Sequence, residues 1–284
     1  MSAEWTVRDV LNWTRSYFQS AGISQPRLEA EILLAHSLHV DRLYLYLSPD
    51  KSLTPEERER FRSAIQKRRA GIPLQHLLGE TSFLGLRFRV GSQALVPRPE
   101  TEELVERALG LAPRDRQIAC LDLGTGCGVI AVCLAKCLPN ARVTAVDVSA
   151  EALALARENA ILNGVIDRIL FMESDWFSRI DGQYDLVVSN PPYVPRSEVE
   201  GLAVEVRDHE PRLAIDGGEG GTERIRELTQ DLRAHLEPGA VVLLEIGSGQ
   251  GREVATILSH AGLAAIAVET DLSGKERFVI ARCP

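Results

Sequence analysis

Cys120-Leu121-Asp122-Leu123-Gly124-Thr125-Gly126-Cys127-Gly128 is the stretch that decides how this chain folds. Residues 118–123 form a short apolar run, the pattern of a strand buried on both faces. Three glycines at alternate positions then let the backbone turn tightly and approach a ligand closely. A helical pattern follows over 128–138. Working outward, apolar runs at 142–148, 184–189 and 240–246 read as further buried strands, with weaker candidates at 168–173, 264–269 and 277–282. Helical patterns lie near 100–111, 149–162, 222–236 and 250–261. This alternation predicts a doubly wound, Rossmann-like, mostly parallel α/β sheet.

The glycine spacing restricts the ligand. A dinucleotide site wants G-x-G-x-x-G, with a helix N-terminus aimed at pyrophosphate. Here the order is G-x-G-x-G, with Asp122 two residues ahead of it. A carboxylate there suits a ligand that carries an ammonium and lacks phosphate, which S-adenosylmethionine does; a turn with no ligand is the bland reading. Gly124, Thr125, Gly126, Cys127 and Gly128 are the candidate cofactor residues of this turn. Asp147 ends the second strand, where an acid can accept both hydroxyls of a ribose. Ser149 is the better N-cap for the helix that follows. After the third strand, Asp175 is placed to accept an adenine amino group. Trp176 reads either as a ring partner for that adenine or as a core anchor.

The fourth strand, 184–189, runs directly into Asn190-Pro191-Pro192-Tyr193. Ligands of open α/β sheets bind at strand carboxyl ends, so the tetrad stands where a reaction site belongs. The nitrogen of an amide or arylamine is a poor nucleophile because its lone pair is delocalised. Two acceptors, the Asn190 side-chain oxygen and the Pro191 carbonyl, can hold its two hydrogens and favour pyramidalisation as a methyl group arrives. The prolines stiffen the loop, Asn190 also borders the cofactor, and Tyr193 offers a flat face for a flat group. Transfer needs neither a covalent intermediate nor a metal. The tetrad alone leaves three acceptors open: adenine N6, guanine N2 and a glutamine amide.

Charge narrows the choice. The chain has 284 residues and a net charge of −8. Residues 1–78 hold 11 Lys/Arg against 9 Asp/Glu, whereas residues 79–284 hold 21 against 31. Proteins that grip nucleic acid by its phosphates present a basic face, so no direct nucleic-acid binding is expected. No apolar stretch suits a membrane span, and Met1-Ser2-Ala3-Glu4-Trp5 has no leader pattern, so a cytoplasmic location is expected. Five cysteines without paired spacing fit a reducing compartment. Cys133 and Cys137 stand i,i+4 with no partnering histidine, and no metal site is expected.

Residues 1–78 read as a small helical bundle. Thr6–Ser20 and 26–38 carry helical periodicity, a short helix lies near 41–47, and Thr54-Pro55-Glu56-Glu57 is a helix start. Residues 79–96 read as a β-hairpin linker, and 97–284 as the α/β domain. Of the six histidines, His36, His39, His235 and His260 lie on helical patterns, and neither His76 nor His209 is assigned a catalytic role.

Several motifs together resemble the PrmC/HemK family. They are Arg69-Ala70-Gly71-Ile72-Pro73-Leu74-Gln75-His76, then Gly79-Glu80 with Phe83, Gly85 and Phe88, then Val96-Pro97-Arg98-Pro99-Glu100-Thr101-Glu102. Glu210-Pro211, Gly217-Gly218, Glu245-Ile246-Gly247 and 271–277 continue the match with the glycine turn and the tetrad. The resemblance implies a class I methyltransferase that takes a methyl group from S-adenosylmethionine, leaving S-adenosylhomocysteine. Its acceptor would be the glutamine amide nitrogen in the Gly-Gly-Gln loop of class-I peptide chain release factors, held against the bundle. A nucleic-acid amino-methyltransferase is the alternative. Asn190, Pro191, Pro192 and Tyr193 would bind the glutamine. Pro97–Glu102 reads both as a helix start and as a cover for the cofactor pocket. Cys127 stands where serine is common, and Glu219-Gly220-Gly221 where Asp-Gly-Leu is commoner.

Overall fold

A computed structural model describes residues 5–284; Met1 to Glu4, on which the leader reading partly rests, lie outside the described residues. The elements run α1 (Val7–Ser20), α2 (Pro26–Leu38), α3 (Arg42–Leu47), α4 (Pro55–Arg69), α5 (Leu74–Leu78), β1 (Glu80–Phe83) and β2 (Leu86–Arg89). Then come α6 (Pro99–Leu111), β3 (Ile118–Leu123), α7 (Val129–Cys137), β4 (Ala141–Asp147), α8 (Ala150–Leu162), β5 (Ile169–Glu173) and β6 (Tyr184–Ser189). The chain ends with α9 (Arg196–Val199), α10 (Val204–Arg207), α11 (Glu223–Thr229), β7 (Leu236–Glu245), α12 (Gly251–His260), β8 (Ala264–Thr270) and β9 (Glu276–Arg282). They form two compact units, Met1–Gly79 with Val204–His209, and Glu80–Ala203 with Glu210–Pro284.

The helical unit is built from well-marked ends. Thr6 and Asp9 close a capping box on α1, and Thr54 and Glu57 close another on α4, with Pro55 at its first turn. Phe18, Leu33, Leu34, Phe61 and Ile65 meet in its core. The chain crosses that core with a charge: Arg68, only 5% exposed, bonds the Glu29 carboxylate and, at 2.7 Å, Glu205 of α10. A Cβ on Gly71 would run into Val204, so glycine lets this segment pack.

The second unit holds a seven-stranded sheet in the order β5-β4-β3-β6-β7-β9-β8. The first five strands are parallel, and β9 pairs antiparallel with both β7 and β8. Alternate residues feed two cores. Cys120, Leu186, Val188 and Leu243 point into one; Leu121, Leu123, Val187 and Leu244 point into the other. Each fully buried side chain of this size contributes roughly 1.5–3 kcal/mol. The hairpin β1–β2 packs within this unit, with Phe83 and Phe88 buried in the first of these cores. The helix expected over 222–236 is shorter: α11 stops at Thr229, a 3₁₀ turn covers Leu232–His235, and β7 already begins at Leu236, paired with Tyr184. That tightening lets Leu232 and Leu236 both reach the core.

The glycine turn after β3 is held from beneath. Gly124, Gly126 and Gly128 all have positive φ, and a Cβ on Gly128 would lie 2.9 Å from that of Ala156. Asp122 is fully buried and clasps the turn: its Oδ2 accepts from Thr125 Oγ1 at 2.6 Å and from the Ala131 amide at 3.0 Å. Burial, with a smaller push from Asp147, raises its carboxyl from an ordinary 3.8 to about 7.

Replacing Arg68 by Ala strands the buried Glu29 carboxylate, so urea unfolding should show a loss of about 3–5 kcal/mol. A loss under about 1 kcal/mol would contradict this account of the pair. Asp122 holds a proton more tightly folded than unfolded, so its support for the fold is complete below about pH 4 and lost as pH rises through about 7. Between those pH values the stability difference should move in favour of Asp122→Asn over the wild type, by about 1–3 kcal/mol. A difference that does not vary with pH would show that Asp122 is ionised throughout.

Candidate active site

β3 is hydrogen-bonded to β4 on one side and to β6 on the other, so their carboxyl ends lie together where the strand order reverses. A cavity of about 200 Å³ opens there. Gly124, Thr125, Gly126, Cys127, Asp147, Asp175, Trp176, Asn190 and Pro192 line it, so the structure gathers most of the residues read from sequence. Three stand back from the lining. Gly128 packs beneath the turn, Pro191 is buried, and Tyr193 directs its hydroxyl to Glu245. Asp122 also stays behind the turn rather than lining the cavity: its Oδ2 accepts from Thr125 and Ala131, and its Oδ1 is buried without a hydrogen-bond partner.

The turn's own hydrogen bonds say what it does not hold. Gly124 and Thr125 both donate their amides to the Val146 carbonyl at 2.8 Å, Gly126 donates to Asp147 Oδ2 at 2.8 Å, and Gly128 donates to Thr125. These amides are engaged and do not form a phosphate cradle. Asp147 Oδ1 accepts the Ser149 amide at 2.9 Å. Each carboxylate oxygen keeps acceptor capacity at the cavity edge, which suits a pair of hydroxyls. Burial raises the Asp147 carboxyl, and its bonds to backbone amides oppose this. Ser149, not Asp147, caps α8 through the Ala152 amide. Trp176 adopts a positive φ of 46°, uncommon for a bulky side chain, and Ser174 Oγ bonds its carbonyl at 3.0 Å. Half-buried, it both packs on the core and borders the cavity; a Cβ on Gly124 would meet its ring at 3.9 Å. Among the described residues, no group of acids, cysteines and histidines could hold a metal.

The tetrad is tied down by residues whose roles the sequence did not reveal. Asn190 Nδ2 donates to Thr101 Oγ1 at 3.1 Å, and Thr101 Oγ1 donates to Glu245 Oε2 at 2.8 Å. Tyr193 Oη donates to the other oxygen of Glu245 at 3.3 Å. Glu245 is 1% exposed, and burial lifts its carboxyl to about 7 despite the nearby Arg277. Gln250 Nε2 donates to the Tyr193 carbonyl at 2.8 Å while its Oε1 accepts from Gly247. A glycine-lined loop closes on the same backbone: a Cβ on Gly217 would lie 2.8 Å from Tyr193, and one on Gly221 would lie 2.6 Å from its carbonyl oxygen. Gly221 therefore packs where a side chain would force the loop away.

Pro97–Glu102 contains the start of a helix and part of the cavity lining. Pro99 opens α6, and Pro97, Arg98 and Thr101 line the cavity. Arg98 reaches both oxygens of Glu210 at 2.8 and 2.7 Å, and Glu210 also accepts the Val96 amide. Glu102 accepts the Leu84 amide of the hairpin at 2.8 Å.

The PrmC N-terminal domain family matches residues 9–79, and the Methyltransferase small domain family matches residues 101–214. The release factor glutamine methyltransferase of Geobacter sulfurreducens is 42% identical over 276 residues, covering 97% of this chain and 96% of the relative. That of Cereibacter sphaeroides is 44% identical over 265 residues, covering 93% and 94%. Among solved structures, a 16S rRNA methyltransferase of T. thermophilus in complex with AdoMet and guanosine is 18% identical, with a TM-score of 0.53. It covers 72% of this chain and 50% of that chain, and the likeness is one of fold. With full-length identity at this level, the chain belongs to the release factor glutamine methyltransferase family.

Proposed function

We propose that this enzyme transfers the methyl group of S-adenosylmethionine to the side-chain amide nitrogen of the glutamine in the Gly-Gly-Gln loop of class-I release factors. The observation that carries the reading is the orientation of Asn190. Its Nδ2 is committed to Thr101, which leaves Oδ1 as an acceptor at the cavity edge. Release factors place the enzyme with translation in the cytoplasm; among the described residues no helix is long and apolar enough to cross a membrane.

The cavity residues fit a nucleoside that carries an amino acid and no phosphate. Asp147 holds the ribose hydroxyls, and Gly124, Thr125, Gly126 and Cys127 give the backbone close approach, with Gly128 setting the turn. Trp176 and Asp175 border the adenine. The bound sulfonium supplies an electrophilic methyl group. Asn190 Oδ1 and the Pro191 carbonyl accept the two amide hydrogens of the glutamine and orient its nitrogen. They also stabilise the positive charge that develops on that nitrogen. Pro192 lines the cavity where the planar amide packs, Tyr193 braces the loop from behind through its hydroxyl on Glu245, and Gln250 bonds the Tyr193 carbonyl. The nitrogen sheds its proton readily once alkylated, so the site needs no strong base. The helical unit holds the body of the release factor.

Incubation with radiolabelled cofactor and a release factor should label the glutamine, and Gln→Ala in the Gly-Gly-Gln loop should abolish the label. Label that survives that change, or that enters RNA or DNA instead, contradicts the acceptor assignment. Asn190→Ala should lower kcat on the order of 10²–10³-fold with the fold intact. Undiminished turnover would remove Asn190 from the reaction.

A further inference from the structure

The side chains around Asn190 form a directed chain of hydrogen bonds. Thr101 Oγ1 carries a single hydrogen, and the Glu245 carboxylate 2.8 Å away, in its ionised form, takes it. What Thr101 has left for Asn190 is a lone pair, so the amide at 3.1 Å must offer its NH₂ end. Reversing that amide would set two acceptors against each other at Thr101. It would also turn an NH₂ toward the cavity, where a substrate NH₂ would meet donor with donor. Thr101 sits in the first turn of α6 and Glu245 at the end of β7, so two rigid elements enforce this polarity.

We propose that Thr101 and Glu245 are positioning residues that fix which end of the Asn190 amide faces the substrate, an inference that rests on the reading of Asn190 given above. Neither group touches the reacting atoms; Glu245 acts through Thr101 on one side and holds the Tyr193 hydroxyl on the other. Arg277 and Glu100 are the other charged groups that act on Glu245. The plainer account is that Thr101 and Glu245 simply satisfy each other's buried polar atoms. That account predicts lost stability and lost cofactor affinity, with no dependence on Asn190.

A double-mutant cycle on the full chain separates the two, reading kcat with a release factor, cofactor affinity by calorimetry and the thermal midpoint. Thr101→Val keeps the shape and removes both bonds, and should lower kcat about 10- to 100-fold. Cofactor affinity should change less than about threefold, and Thr101→Ser should restore most of kcat. In an Asn190→Ala background, Thr101→Val should cost almost nothing further, because it acts through the missing amide. Should Thr101→Val fail to fold, Glu245→Gln serves: its amide can donate to Thr101 and undo the polarity, so kcat should fall while cofactor affinity holds. Full turnover in Thr101→Val, or effects of Thr101→Val and Asn190→Ala that simply multiply, would overturn the proposal while leaving Asn190 in place. Undiminished turnover in Asn190→Ala would instead overturn the underlying reading.

Discussion

A carboxylate at the inner end of β7 organises the reaction edge of this molecule. Glu245 is cut off from water, and a buried acid is tolerated only where its oxygens are hydrogen-bonded. Thr101 occupies one oxygen and Tyr193 the other. That single requirement joins α6, β7 and the loop after β6, three elements far apart in the chain. It also sets the direction of the bond to Asn190, since Thr101 has one hydrogen to give. In the mechanism we propose, stability and chemistry thus share the same atoms.

The rest of the site follows from close backbone approach. The turn after β3 comes close to Ala156 because Gly128 has no side chain, and its amides are already bonded to Val146 and Asp147. Gly217 and Gly221 let a second loop close on the Tyr193 backbone, where Gln250 pins the carbonyl. Glycines and prolines alternate around the cavity for complementary reasons: the first permit approach, the second prevent drift. Oriented groups held this way lose little freedom when a substrate arrives.

Much of the scaffold was legible from sequence for a simple reason. Strands buried on both faces are continuous apolar runs, so 118–123 and 184–189 announced themselves. Thr54-Pro55-Glu56-Glu57 reads as a helix start, and α4 begins there with its capping box. Helices of four or five residues, such as α5, α9 and α10, are too short to show a period. The contact between Arg68 and Glu205 joins positions 137 residues apart, and spacing carries no trace of it. The site divided along the same line. Asn190 and Asp147 were visible because they end apolar runs. Thr101 and Glu245 lay inside quoted motifs, yet their partnership depends on sheet order. Asp122 looked like a ligand group from its place beside the glycines. Its burial under Thr125 and Ala131 makes it a clasp for the turn.

The central claim is that the acceptor end of the Asn190 amide meets the substrate nitrogen. A crystal structure with S-adenosylhomocysteine and a release factor tests it most directly. The account predicts the glutamine amide nitrogen about 3 Å from both Asn190 Oδ1 and the Pro191 carbonyl, with Asn190 Nδ2 still on Thr101. A glutamine bound elsewhere, or an Asn190 amide turned so that Nδ2 faces the substrate, would contradict it.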